Sequence, residues 1–172
     1  PTPPPPPPPG GGDWVGVSGA DGYALGAWNR TSDEVNMPYA TVNFVEGLRH
    51  RWESDTAETQ AVEAADESHR RAAAWYDSDA LEIDLTFTSD YTGQVHLYAL
   101  DWDSDTRRQI VTVDDGSGPQ TVLLNQAFDG GAWMSFDVAV TSGETVSIAV
   151  TNNGGANAVL SAITLGGAVP AT

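Results

Sequence analysis

The chain of 172 residues contains no lysine and no cysteine, and seven arginines stand against 24 aspartates and glutamates. A formal charge of −17 leaves no cationic face to neutralise phosphates, so nucleic acids and anionic membranes are not expected partners. The lack of cysteine excludes thiolate nucleophiles, cysteine metal sites and disulfides. No run approaches the roughly 18 apolar residues of a membrane helix, and membrane insertion is therefore not expected.

Signatures of catalysis are also missing. The histidines at 50, 69 and 96 do not adjoin a serine in a nucleophile elbow, and no Gly-x-Ser-x-Gly occurs. The sequence has neither a phosphate-binding glycine loop nor zinc-type histidine spacing. Among 24 acidic residues some carboxylates lie close together by chance, so the abundance of acids does not indicate the catalytic carboxylate pair of a glycosidase. We therefore predict that the chain is not an enzyme and requires no cofactor.

Proline and glycine dominate the amino end. Seven consecutive prolines follow Pro1-Thr2 and precede three glycines, 10–12. Proline fixes φ and lacks an N–H group, so residues 1–12 are predicted to form a polyproline II linker with a glycine hinge. A linker here leads us to expect a further module before Pro1. The alternative is that the proline rod packs against a partner or a neighbouring copy.

The run 81–88 alternates apolar side chains with acids and threonines, at the period of two that is typical of a strand. Leu81 and Ile83 are predicted to face a core, while Glu82 and Asp84 face solvent. Similar runs recur between Asp-Gly and Asn-Gly turn signals. The other predicted strands are 14–17, 23–28, 41–45, 48–53, 72–76, 95–102, 109–113, 121–124, 146–150 and 158–165.

The run 133–140 is predicted to be a further strand, and it carries an aromatic residue out of register with its core face. Met134 and Phe136 are predicted to point inward, whereas Trp133 shares the outward register of Ser135 and Asp137. Trp133 is therefore expected on a polar face or at its rim.

About ten short strands separated by such turns predict an all-β fold. We expect a two-sheet antiparallel β-sandwich or jelly roll at 13–166, preceded by the linker and followed by a tail or second linker at 167–172. The segment 55–71 resists this scheme, because its alanines, acids and Val62 are too weakly apolar to hold a helix to a core. A short strand near 59–62 and an acidic surface loop are predicted there.

The densest polar motif is Asp-Trp-Asp-Ser-Asp at 101–105, which ends the most apolar predicted strand. Asp101, Asp103 and Asp105, each two residues apart, form a candidate Ca²⁺ site. The glycine and glutamate of an EF-hand are missing, and two arginines follow. The alternative is that Asp101 and Asp103 bond to turn amides or pair with Arg107 or Arg108.

Most of the six Trp, five Tyr and four Phe side chains are expected in the core. Trp102, in a predicted loop, and Trp133 are the exceptions. A sugar packs its C–H face on an aromatic ring, while carboxylates bond to its hydroxyls. Asp101, Trp102, Asp103 and Trp133 are therefore a candidate glycan site, with Arg107 as a partner for acidic or hydroxyl groups. The alternative is that these rings cap the ends of the sandwich.

Two modification candidates lie outside this site. Asn29-Arg30-Thr31 matches the acceptor pattern for asparagine glycosylation. Thr2, within the proline tract, is a candidate for glycosylation of a surface rod.

Four motifs in order resemble a recurrent module of large secreted bacterial proteins. They are Asp-Trp-Val-Gly at 13–16 with 19–25, Ala-Trp-Tyr at 74–76, Leu-Tyr-Ala-Leu-Asp-Trp-Asp at 97–103 with an arginine after it, and Ala-Asn-Ala-Val-Leu-Ser at 156–161. That family is similar to carbohydrate-binding modules with galactose-binding-like jelly rolls, and it occurs beside glycosidase, fibronectin-like and adhesive domains. The resemblance implies a β-sandwich with an extracellular, non-catalytic role. The stretch 58–71 departs from the pattern.

Together these features predict an accessory module of a secreted or cell-surface protein, with carbohydrate as its partner. The alternative is a structural bead of an extracellular fibre or surface layer, in which the proline segment packs between copies and the partners are neighbouring domains or copies of the same protein.

Overall fold

The computed structural model describes residues 11–168 and 170, and in this part of the chain it is all β with no helix. The predicted polyproline linker falls almost wholly outside the described residues. The strands are β1 Ser18–Leu25, β2 Glu34–Asn36, β3 Ala40–Glu46, β4 Leu48–Thr56, β5 Val62–Glu63, β6 Arg70–Asp77, β7 Ala80–Phe87, β8 Tyr91–Ala99, β9 Arg108–Asp114, β10 Pro119–Leu124, β11 Ala132–Val140, β12 Thr145–Gly154, β13 Ala158–Leu160 and β14 Ala162–Gly167.

Two five-stranded antiparallel sheets form the layers of a sandwich, in the orders β11-β8-β14-β1-β2 and β10-β9-β12-β7-β3. Side chains of both sheets meet in one apolar core. The predicted all-β sandwich is thus confirmed. A smaller sheet, β13-β6-β4 with β5 paired to β6, was not predicted as a separate unit, and it contacts the main sheets through β7, β8 and β12.

The alternation along β7 is confirmed, because Leu81, Ile83, Leu85 and Phe87 are buried while the residues between them are partly exposed. The outward position predicted for Trp133 is wrong. Trp133 is only 1% exposed, because the start of β11 is covered on both faces. Its ring centroid lies 4.7 Å from that of Tyr98, in a second apolar cluster.

The segment 55–71 contains no helix, as predicted, but its short strand is β5, slightly later than expected. Glu63 in β5 is buried and does not belong to a surface loop. Its Oε1 accepts hydrogen bonds from the backbone N–H groups of Trp14 (2.7 Å) and Val15 (2.6 Å). A buried carboxylate so bonded fastens the start of the domain to β5.

Gly11 and Gly12, which the sequence assigned to the linker, contact the folded domain. Gly12 bridges in parallel to Val62, and Trp133 Nε1 donates to the Gly11 carbonyl at 3.2 Å. A Cβ atom at Gly12 would overlap the Ala61 carbonyl oxygen, so this close approach requires glycine.

Among residues 11–168 and 170, no helical segment has the length and apolar character needed to cross a bilayer.

Candidate functional site

A cleft of about 220 Å³ opens on one face of the small sheet. Three strands supply its floor, and its wall comes from the β8–β9 loop and from the residue that precedes β13. The lining residues are His50 and Trp52 of β4, Ala74 and Tyr76 of β6, Val159 of β13, and Asp103, Arg107 and Asn157.

Strand register explains why these side chains share one face. Tyr76 pairs with Val159 on one side and with Leu48 on the other, while Ala74 pairs with His50. Paired residues point to the same side of a sheet, and positions two apart along a strand do so as well. The small side chain of Ala74 leaves a depression between its larger neighbours.

Three rings follow one another along this face. The His50 ring stands edge-on to Trp52, with centroids 5.5 Å apart and an interplanar angle of 79°. It also stands edge-on to Tyr76, at 6.3 Å and 86°. The three residues, here called the aromatic row, give the cleft an apolar surface with a polar atom on each ring.

The opposite face of β4 carries arginines. Arg49 makes a bidentate ion pair with Asp33, through Nε at 2.8 Å and Nη2 at 2.9 Å. Arg51 Nη1 donates to the Trp28 carbonyl at 3.2 Å. The strand thus alternates between rings that face the cleft and guanidiniums that are bonded on the far side.

Arg107 organises the polar wall of the cleft, with a side chain only 6% exposed. Its Nη1 donates to Oδ1 of both Asp101 and Asp103 at 2.5 Å, and its Nε donates to Asn157 Oδ1 at 2.7 Å. Burial alone would lower the pKa of Arg107, but the hydrogen bonds and charges of the two aspartates outweigh it and raise the pKa. The guanidinium also lies 5.9 Å from the Trp52 ring centroid.

Asp101 and Asp103 share this arginine but differ in position. Asp101 is fully buried, and it also accepts hydrogen bonds from Ser104 Oγ (2.6 Å) and from the Arg107 backbone N–H (3.1 Å). It therefore anchors the loop from behind the cleft. The Asp103 side chain is 50% exposed and faces the cleft. Burial raises its pKa, but hydrogen bonding and charge from Arg107 prevail, so the pKa of Asp103 lies below its ordinary value.

The structure brings together only part of the predicted site. Asp103 and Arg107 line the cleft, and Asp101 supports them. Trp102 is absent from the lining and packs against the second apolar cluster. Trp133 belongs to that cluster and is buried, so it cannot offer a ring to a ligand.

Sequence reasoning missed the aromatic row and Asn157. One signal was available, since His50 and Trp52 occupy alternate positions of a correctly predicted strand. Asn157 lies 50 residues from Arg107, and only the fold reveals their contact.

The three predicted calcium ligands do not form a metal-binding group. Arg107 already supplies the positive charge between Asp101 and Asp103, and Asp105 is exposed beside them. In the described part of the chain, no three His, Asp or Glu side chains are arranged to hold a metal ion. The residues present therefore do not fit Ca²⁺ at this position. The structure instead contains the alternative that the sequence offered, in which Asp101 and Asp103 pair with Arg107.

A second cleft, of about 320 Å³, lies between the end of β4 and the turn before β6. Two of its charged groups, Arg70 and Glu63, hold the amino end of the domain. Arg70 pairs with Asp13 and donates to the Thr59 (3.2 Å) and Ala61 (3.0 Å) carbonyls, while Glu63 bonds to backbone amides. These contacts assign the second cleft a structural role.

The glycosylation candidates lie apart from the cleft. Asn29 is exposed in a tight turn, where its backbone N–H donates to the Ser32 carbonyl at 3.1 Å. Its modification stays a prediction. Thr2 lies outside the described residues.

No family model and no curated protein matches the chain. Among solved structures, it is similar to a family 35 carbohydrate-binding module from Cellvibrio japonicus Abf62, at a TM-score of 0.42 and 14% identity over 77% of this chain and 96% of the module. TmCBM61 in complex with β-1,4-galactotriose aligns at a TM-score of 0.41 and 11% identity, over 74% and 88% of the two chains. These neighbours are carbohydrate-binding modules.

An exo-β-1,3-galactanase from Phanerochaete chrysosporium, solved with galactose, also aligns, at a TM-score of 0.40 and 18% identity. The alignment covers 78% of this chain but spans only 30% of the galactanase.

Proposed function

We propose that the chain is a non-catalytic carbohydrate-binding module whose ligand lies in the cleft between the aromatic row and Asp103. The observation that carries this proposal is that aromatic rings and a fixed, ionised carboxylate line the same cleft. A sugar has the matching surfaces, because its C–H faces pack on aromatic rings while its hydroxyl groups donate to a carboxylate.

The polar wall is held in place before any ligand arrives. Arg107 ties Asp103 to Asn157, and buried Asp101 fixes Arg107 from behind. Side chains already held by neighbours lose little conformational entropy when a ligand binds. This arrangement favours binding by a rigid site.

Binding without hydrolysis is the activity that the charges favour. A glycosidase needs a carboxylic acid with a raised pKa and a second carboxylate across the cleft. Among the described lining residues, Asp103 is the only carboxylate, and its pKa is lowered. It can therefore accept hydrogen bonds from a sugar but is poorly suited to donate a proton to a leaving group.

The proposal includes a setting for the module. A module that binds polysaccharides would encounter them outside the cell, so we assign the chain to a secreted or cell-surface protein. A proline-rich segment at the amino end suits a spacer between modules. The alternative, a fibre bead, depends on contacts of the prolines at 3–9, which lie outside the described residues.

Affinity electrophoresis and titration calorimetry against a panel of polysaccharides and their oligosaccharides test the proposal. The unmodified chain should be retained by at least one glycan. Replacement of Trp52 or Tyr76 by alanine should weaken that binding by at least about tenfold, as expected for aromatic residues central to a binding site. Tyr39→Ala is the matched control, because Tyr39 is exposed and is not part of the cleft. Absence of retention on every glycan would contradict the proposal.

A further inference from the structure

The charges of the cleft point to the class of sugar that it takes, an inference that rests on the proposed function. Its lining contains one carboxylate, Asp103, and one guanidinium, Arg107, and the carboxylate of Asp101 lies directly behind them. Two negative charges therefore face a single positive charge. These three groups together carry a net charge of about −1.

Arg107 is already committed to partners inside the protein. Nη1 bonds to both aspartates, and Nε bonds to Asn157. Asp101 cannot yield, because it is fully buried and its two oxygens accept further hydrogen bonds from Ser104 and the Arg107 backbone. An acidic sugar that makes a bidentate contact with this guanidinium would have to displace Asp103 from Nη1 or Asn157 from Nε.

Asp103 is hydrogen-bonded by Trp52 and Arg107, but it remains accessible to a ligand from the solvent side. Arg107 binds Oδ1, and half of the side chain is exposed. An ionised carboxylate accepts hydrogen bonds and donates none. Hydroxyl groups of a sugar satisfy it, whereas the carboxylate of a uronic acid or the sulfate of a sulfated sugar would bring a like charge against it.

The rest of the molecule reinforces this repulsion. The whole chain carries a formal charge of −17, which raises the free energy of any anion that approaches its surface. Screening by salt weakens that long-range part of the effect.

We propose that the cleft selects uncharged sugars with free hydroxyl groups and rejects uronic and sulfated sugars. Asp103 is the residue that determines this specificity. The aromatic row contributes affinity for either class, and the carboxylate discriminates between them.

Matched pairs of neutral and acidic oligosaccharides test the inference, for example galactose against galacturonic acid and glucose against glucuronic acid, in equal chain lengths. The preferred neutral sugar should bind at least about tenfold more tightly than its acidic counterpart at about 0.01 M salt, where the Debye length is about 30 Å. The ratio should narrow at about 1 M salt. Equal or tighter binding of the acidic sugar at low salt would overturn the inference. Failure of both classes to bind would instead overturn the proposed function.

Asp103→Asn isolates the contribution of the cleft. The amide keeps the shape of the side chain and removes its charge, so the ratio of neutral to acidic affinity should fall by at least about fivefold, as a local like-charge contact predicts. Asp105→Asn is the matched control, because it removes the same charge from an exposed position two residues away that does not line the cleft. If both variants change the ratio equally, net charge and not Asp103 is responsible, and the inference fails.

Discussion

The side-chain amide of Gln109 makes a two-way pairing with the backbone of Val159. Nε2 donates to the Val159 carbonyl at 2.8 Å, and Oε1 accepts from the Val159 N–H at 3.0 Å. Gln109 lies fully buried on β9. Its amide bonds to Val159 of β13 through both a donor and an acceptor, as the backbone of a neighbouring strand would. Because Val159 lines the cleft, this contact helps to position the cleft floor.

Replacement of Gln109 by leucine should therefore destabilise the domain. The change leaves both polar groups of the Val159 backbone without a partner, at a cost of about 1–3 kcal/mol for each unsatisfied group. The free energy of unfolding from urea titration measures the effect. Gln120→Leu is the control, since Gln120 makes one exposed hydrogen bond to the Asp137 carbonyl. Equal losses in the two variants would contradict the importance of the pairing.

Removal of the Arg107 side chain should be more damaging. Arg107→Ala leaves the buried carboxylate of Asp101 without its cation, a change that typically costs about 3–5 kcal/mol. Arg108→Ala should cost less than about 1.5 kcal/mol, because its side chain donates to backbone carbonyls and pairs with no buried acid. Chemical unfolding of both variants measures the difference. A loss below 1.5 kcal/mol in Arg107→Ala, about that expected for one ordinary hydrogen bond, would contradict the anchoring role.

The stability of the domain should fall in mild acid because of His96. This residue is fully buried on β8, where Nδ1 lies 2.6 Å from Ser135 Oγ, and burial lowers its pKa. An unfolded chain takes up the proton near the ordinary pKa of about 6.5, whereas the folded chain resists it until a lower pH. The contribution of His96 to the free energy of unfolding is therefore fully present above about pH 6.5. It declines as the pH falls towards the pKa of His96 in the folded chain, by at most about 1.4 kcal/mol per pH unit.

Urea unfolding of the protein and of His96→Gln across this pH range measures the contribution. Other acids titrate in both proteins, so the difference between their curves reports on His96. Parallel curves would contradict the prediction.

Calcium should have no effect on glycan affinity. Arg107 already balances the carboxylates at the cleft, and the lining offers only Asp103 as an exposed carboxylate. Oxygen-rich sites that hold Ca²⁺ use six to eight ligands. The glycan is titrated into the protein first in the presence of EDTA and then in the presence of excess CaCl₂. The two dissociation constants should agree within about twofold, well below the tenfold that corresponds to about 1.4 kcal/mol. Loss of binding in EDTA would show that calcium contributes to the site.

The strands were predictable because period-two alternation is a local property of the sequence. It identified β7 and the later half of β11 correctly, with the inward residues Leu81 and Phe136 buried. Alternation distinguishes the two faces of a strand but does not tell whether the second face is also covered. That is why Trp133, which is buried in the second apolar cluster, was misplaced.

The site was only partly predictable, for a similar reason. The pairing of Asp101 and Asp103 with Arg107 involves residues at most six positions apart, so the local sequence contained both the motif and its partner. The cleft itself requires β4, β6 and β13 to assemble in one register, and β13 lies far along the chain from the other two. No local pattern shows that assembly.

The alternation of rings and guanidiniums along β4 has an evolutionary consequence. A one-residue slip of a strand exchanges the side chains of its two faces. An insertion or deletion of a single codon in the turn at Gly47 would then bring Arg49 and Arg51 into the cleft in place of His50 and Trp52. Such a lineage would inherit a cationic groove suited to acidic polysaccharides, so a frame-preserving length change, rather than a series of point substitutions, offers a short route to a new ligand class.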